Sequence, residues 1–194
     1  MKFLKSLLKD SVFYELARTI YRRIRRIPRH PLQNFPKLSG HNFVRLGTKY
    51  GGWEFIETSD LHGCTIISAG LGEDASFDIE FARKYNARVI VVDPTPRAIL
   101  HFEKIAEKLG SQKSCQYTDD GCQPVEAYDL TDLTSHNLCL IKKALWNKNT
   151  SLKFFQPRNP DQVSHSIVNY QHRYTDDTPS IEVEAITMSE LLAE

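Results

Sequence analysis

Gly70 and Gly72, the carboxylates Glu73 and Asp74 directly after them, and Asp93, 21 residues beyond Gly72, are the residues whose types and spacing could do chemistry. Glycines at the end of a strand allow a tight turn and let backbone N–H groups approach a ligand closely. An acidic side chain at the carboxyl end of the next strand can accept hydrogen bonds from both hydroxyls of a ribose. The combination describes a site for an adenosine-containing cofactor.

Which cofactor depends on the charge of the turn. Gly70-x-Gly72-x-x-Ala75 satisfies the loose dinucleotide pattern, with Asp93 at about the right distance. Glu73 and Asp74 oppose that reading, because a pyrophosphate seeks N–H donors and the positive end of a helix. Two carboxylates suit the ammonium end of S-adenosylmethionine instead. The plainer alternative is that they cap and solvate the start of a helix. A nicotinamide-dependent oxidoreductase therefore stands as the less favoured reading of the turn.

The elements that must hold these residues alternate between strand and helix. Thr65-Ile66-Ile67 is short and β-branched, as a buried strand should be. A helix from about Asp74 places Phe77, Phe81, Ala82 and Tyr85 on one face. Arg88–Val92 forms a second strand ending at Asp93. Thr95 suits an N-cap and Pro96 the first helical position; Ile99, Phe102, Ile105, Ala106 and Leu109 form the buried stripe, and Gly110 is placed to end the helix. Leu138–Trp146 reads as a third strand, and Leu152–Phe155 with Ile181–Ile186 as an added strand pair. Thr187 to Glu190 is a capping box that opens one more helix. The expected fold is α/β, a parallel, doubly wound sheet with right-handed crossovers.

Composition suits one soluble domain with a sizeable core, since 41% of the 194 residues are hydrophobic and 25% charged. Cys64, Cys115, Cys122 and Cys139 make no CxxC pair and have no histidine at zinc-ligand spacing, so we expect reduced thiols in a cytoplasmic protein and no metal. Charge is uneven along the chain. Residues 1–29 carry nine Lys or Arg against Asp10 and Glu15, which leaves 16 basic against 22 acidic residues in the remainder. Apolar residues there recur at helical spacing, so residues 1–29 read as a basic amphipathic helix. It either packs its stripe on the domain, lies on an anionic membrane surface, or meets an acidic partner; no specific nucleic acid is expected. Pro31 and Pro36 make residues 30–42 a stiff connector to a domain over 43–194.

Six blocks of sequence in fixed order carry a resemblance. Gly51-Gly52-Trp53, Ser68–Phe77, Asp93-Pro94-Thr95-Pro96-Arg97, Lys143–Asn147, Val163–Ile167 and Ala185–Leu192 are similar to those of FkbM-type methyltransferases, over roughly residues 43–192. The resemblance implies a class I, Rossmann-like, S-adenosylmethionine-dependent methyltransferase that acts on a hydroxyl of a sugar or other small metabolite. It implies that Gly70, Leu71, Gly72, Glu73 and Asp74 form the cofactor turn, that Asp93 binds the ribose beside Pro94, and that Ala144 and Leu145 lie near the adenine. Tyr50, Gly51 and Gly52 would close over the methionine end. His165, within the Val163–Ile167 block, is the candidate catalytic base. Trp53 and Trp146 fit a core or a cofactor wall better than a substrate platform.

Members of that family continue past the last of these blocks into a strand ending in Asp-Ile-Glu-Gly, whereas this sequence reaches Glu194 first. Asp78-Ile79-Glu80 does not replace that motif, because it falls inside the helix after the cofactor turn. The resemblance therefore implies a C-terminally incomplete sheet with an uncovered edge, prone to self-association. A cofactor-binding fragment without catalysis, or an interaction module, is the alternative function.

Overall fold

Apolar β-branched runs become the strands of three small sheets. The computed structural model describes residues 40–193 apart from 160, 174 and 176. The expected basic helix over 1–29 and its connector up to residue 39 lie outside the described residues. In chain order β1 (Phe43–Leu46) and β2 (Trp53–Ile56) form an antiparallel hairpin. β3 (Thr65–Ala69), α1 (Ser76–Tyr85), β4 (Arg88–Val92), α2 (Pro96–Glu107) and β5 (Leu138–Ile141) follow as strand–helix repeats. Their strands form a parallel sheet in the order β3-β4-β5. β6 (Ala144–Leu145), β7 (Thr150–Phe155), β8 (Ser180–Ile186) and α3 (Met188–Leu191) complete the chain, with β8 between its parallel neighbour β6 and its antiparallel neighbour β7.

The two helices of the parallel sheet share one core. Alternate residues of a strand face opposite sides, and Val89 and Val91 of β4 are wholly buried with Ile79, Ala82 and Tyr85 of α1 and Ala98 and Ile105 of α2. Phe55 of the hairpin meets Phe77, Phe81 and Tyr85 through ring contacts, which seats β1 and β2 on α1. The alternate residues Ile67, Ile90 and Ile141 are only half-buried, and their partners are Val92, Leu145, Ile186 and Leu191. Among the described residues β3 pairs only with β4, so its other edge is unpaired there.

Several local expectations shift. The apolar run Leu138–Trp146 is not one strand. It breaks at Lys142 and Lys143 into β5 and β6, which belong to different sheets. Lys142 turns outward to Glu103 at 2.8 Å, and the chain then pairs with β8. The buried stripe of α2 is rotated by about one residue: Ala98, His101 and Ile105 are buried and Ala106 is exposed. α2 ends at Glu107, before Gly110, and Thr95 occupies the N-cap without a side-chain cap, because its hydroxyl bonds to Asp93. α1 starts at Ser76, two residues beyond Asp74. The capping box forms in half: Thr187 accepts the Glu190 N–H at 3.3 Å, but Asn149, not Glu190, accepts the Thr187 N–H at 2.9 Å.

Candidate functional site

Between β3 and α1 the chain must reverse within a few residues, and glycine makes that turn feasible. Gly70 and Gly72 have φ of +92° and +59°, the left-handed region in which a side chain is strained. The turn is held from across the sheet by Asp93. Its Oδ2 accepts the N–H groups of Leu71 at 2.8 Å and Gly72 at 3.2 Å. Its Oδ1 accepts the Thr95 N–H at 2.8 Å and the Thr95 hydroxyl at 2.7 Å. A carboxylate has about four acceptor positions, and these four bonds fill them. Asp93 thus ties the glycine turn to the start of α2.

The other side of the turn is braced by the hairpin loop. Asp74 is buried; its Oδ2 accepts the Thr48 hydroxyl at 2.6 Å and its Oδ1 the Ser76 N–H at 3.0 Å. Thr48 Oγ1 in turn accepts the Gly51 N–H at 2.9 Å, Ser76 Oγ accepts the Thr48 N–H at 2.8 Å, and Glu80 Oε2 accepts the Gly47 N–H at 2.7 Å. The Ala75 N–H is taken by the Tyr128 hydroxyl at 2.9 Å, and that hydroxyl lies 2.8 Å from His101 Nε2. Burial lowers the His101 pKa and holds the Tyr128 hydroxyl well above its ordinary value, which favours the uncharged form of both partners. Thr48, Ser76, Glu80, His101 and Tyr128 carry no local motif; only long-range proximity brings them to the turn.

A cavity of about 570 Å³ opens beside this turn. Its lining includes Gly70, Leu71, Gly72, Glu73, Asp74, Asp93, Pro94, Ala144, Leu145 and His165, so every residue singled out from the sequence for binding or catalysis reaches one space. Tyr50, Gly51 and Gly52 also line it, as does Trp53, which is 68% exposed and forms a rim, not core. Trp146 is absent from the lining and 36% exposed. Glu73 is paired with Arg97, whose Nε donates to Oε1 at 3.1 Å. Nδ1 of His165 lies 3.0 Å from the Val163 carbonyl. That carbonyl can only accept, so Nδ1 is the donor of this bond, and the neutral form of the ring has its lone pair on Nε2.

Ser68, Phe77, Asp78 and Phe154 join the lining without having been singled out as site residues. Asp78 is 5% exposed, and its Oδ1 is buried without a hydrogen-bond partner. Burial pushes its carboxyl up to about 6; the Ser68 hydroxyl opposes the rise and the Asp74 carboxylate adds to it. No pattern in the sequence marks Asp78, since an acidic residue in the first turn of a helix is usually explained by the helix dipole.

Among the described residues the lining contains four carboxylates and no lysine or arginine. The N–H groups of Leu71 and Gly72, which a phosphate would need, are already bonded to Asp93. The arrangement suits a partly apolar ligand with a positive group, not an anion. Among the described residues no cluster of His, Cys, Asp or Glu could hold a metal ion, all four cysteines are free, and no helix is long and apolar enough to cross a membrane. No protein-family model matches the chain, and no curated protein and no solved structure matches it.

Proposed function

We propose that this chain binds S-adenosylmethionine and belongs to a methyltransferase of the FkbM type, acting on a hydroxyl of a sugar or another small metabolite. The reading brings with it the class I, doubly wound fold, of which β3, β4 and β5 with their two crossovers are the first part. One observation carries it: five sequence blocks spread from Gly51 to His165 converge on a single cavity whose lining, among the described residues, is acidic and holds no lysine or arginine. The same observation disfavours a nicotinamide dinucleotide, whose pyrophosphate would meet carboxylates and pre-empted N–H groups.

The residues fit the cofactor in kind. Val92, Pro94, Ala144 and Leu145 offer apolar surface for an adenine, and Phe77 and Phe154 close the cavity with further apolar wall. Asp93 is the candidate for the ribose; of its four bonds, the one from the Thr95 hydroxyl can be exchanged by a side-chain rotation without moving backbone. When bound, the cofactor supplies a methyl group already activated on a sulfonium. The chain's own task is then to hold the acceptor hydroxyl in line and to take its proton. His165, whose Nδ1–Val163 bond puts the lone pair of the neutral ring on Nε2, is the base this reading assigns. The exposed rings of Tyr50 and Trp53 at the rim are where a sugar acceptor would stack.

Calorimetric titration with S-adenosylhomocysteine, and with NAD in parallel, tests the reading. Saturable binding of the homocysteine compound is expected, with none of NAD. Asp93→Ala should abolish it, because the glycine turn loses its brace. Binding of NAD alone would sink the proposal.

A further inference from the structure

We propose that Asp78 is the acceptor for the primary ammonium group of the ligand in this cavity, an assignment that rests on the methyltransferase reading above. Of the four carboxylates of the lining, three are already engaged. Asp93 is engaged by Leu71, Gly72 and Thr95, and the one position it can free, that of the Thr95 hydroxyl, is taken by the ribose in the reading above. Asp74 receives the Thr48 hydroxyl on one oxygen and the Ser76 N–H on the other, and Gly51 packs so closely that a Cβ there would lie 2.6 Å from its carboxyl carbon. Glu73 is ion-paired with Arg97. Asp78 alone of the four has a buried oxygen with no hydrogen-bond partner.

A buried acceptor left unpaired is costly and calls for a partner. Asp78 lines the cavity, so a ligand bound there can meet this oxygen once the carboxylate turns about its terminal torsion. A primary ammonium brings three N–H donors and a positive charge, and the bond it makes to a carboxylate is of the strong, charge-assisted kind. Ser68, whose hydroxyl neighbours Asp78, lines the same wall and offers a second acceptor. The homocysteine arm of the cofactor carries such an ammonium, whereas a nucleotide diphosphate does not. Asp78 therefore decides which end of the ligand enters deepest and selects against ligands lacking the amine.

The test compares S-adenosylhomocysteine with 5′-methylthioadenosine, which has the same nucleoside and thioether but no amino acid arm. Wild-type protein should bind the former more tightly. Asp78→Asn, nearly identical in shape, should weaken S-adenosylhomocysteine by at least about tenfold, the effect of losing a hydrogen bond to a charged group, and leave 5′-methylthioadenosine within about twofold, which also shows that the variant is folded. Equal loss for both ligands, or loss for neither, overturns the assignment while leaving the methyltransferase reading in place. Wild-type protein that binds neither ligand refutes the methyltransferase reading and the assignment with it.

A second measurement needs no change at Asp78. The groups that face it and carry charge or titrate are Asp74 and Tyr128, and His165 stands elsewhere in the cavity lining. In a His165→Gln background, which removes the imidazole, affinity for S-adenosylhomocysteine should rise as pH increases from about 5 to about 7.5, and affinity for 5′-methylthioadenosine should stay flat. A flat profile for both overturns the assignment.

Discussion

Carboxylates a few residues apart differ in what they can do because their partners differ. Asp93 is filled by four donors and Asp74 is bonded on both oxygens, so both act as braces, while Asp78 is buried with one oxygen unpartnered. Its pKa is raised from 3.8 to about 6, chiefly by burial. For a raised carboxyl the folded state holds its proton more tightly than the unfolded chain. The resulting stability is fully present below about pH 4 and is lost as pH rises through about 6, amounting to at most about 3 kcal/mol. Asp78→Asn removes the ionisation. In the absence of ligand this variant should be more stable than wild type above about pH 7 and lose that advantage as pH falls to about 4. Urea midpoints at the two pH values check this, and a gap that does not change with pH would exclude Asp78 as the buried titrating group.

The hairpin loop is tied to α1 by the Gly47 N–H on Glu80 and the Thr48 N–H on Ser76, and its own backbone is closely packed. A Cβ on Gly52 would lie 2.4 Å from the Thr48 carbonyl oxygen and 2.5 Å from that of Leu46, both backbone atoms that cannot step aside cheaply. Gly52→Ala should therefore cost about 1–3 kcal/mol of stability, as overpacking does, and weaken ligand binding by displacing the Tyr50 and Trp53 rim. Chemical denaturation and the S-adenosylhomocysteine titration read the two effects. What was legible in the sequence follows the same division between local and distant causes. β3, α1 and β4 could be read because a β-branched run, a glycine turn and a 3.6-residue stripe are local signals. The break between β5 and β6 could not, since the apolar run continues through it and only pairing with β8 moves the chain to another sheet. The stripe of α2 was misplaced because His101 is drawn inside by the Tyr128 hydroxyl, 27 residues away in sequence. In the site, the turn, Asp93 and the Ala144–Leu145 pair were legible from motif and resemblance. Asp78 was not, because its importance lies in what fails to bond to it.

At the scale of the whole domain, the parallel sheet is unevenly covered. α1 and α2 bury one face completely at Val89 and Val91, but Ile67, Ile90 and Ile141 on the other remain half-exposed. β3 adds an unpaired edge among the described residues, with Thr65 exposed at its start and Ile66, Ile67 and Ser68 half-buried along it. An open edge beside apolar surface is a template for strand pairing, and the partner always at hand in a pure solution is a second copy. The protein should self-associate with rising concentration, as seen by sedimentation velocity. Thr65→Lys puts a charge at the start of that edge, the device by which natural edge strands resist pairing, and should weaken the association. Because Thr65 is exposed and outside the cavity lining, the variant should keep its affinity for S-adenosylhomocysteine. A wild-type chain that stays monomeric across the concentration range would mean the β3 edge is not free in solution, and the uneven coverage would then have to be relieved within a single copy.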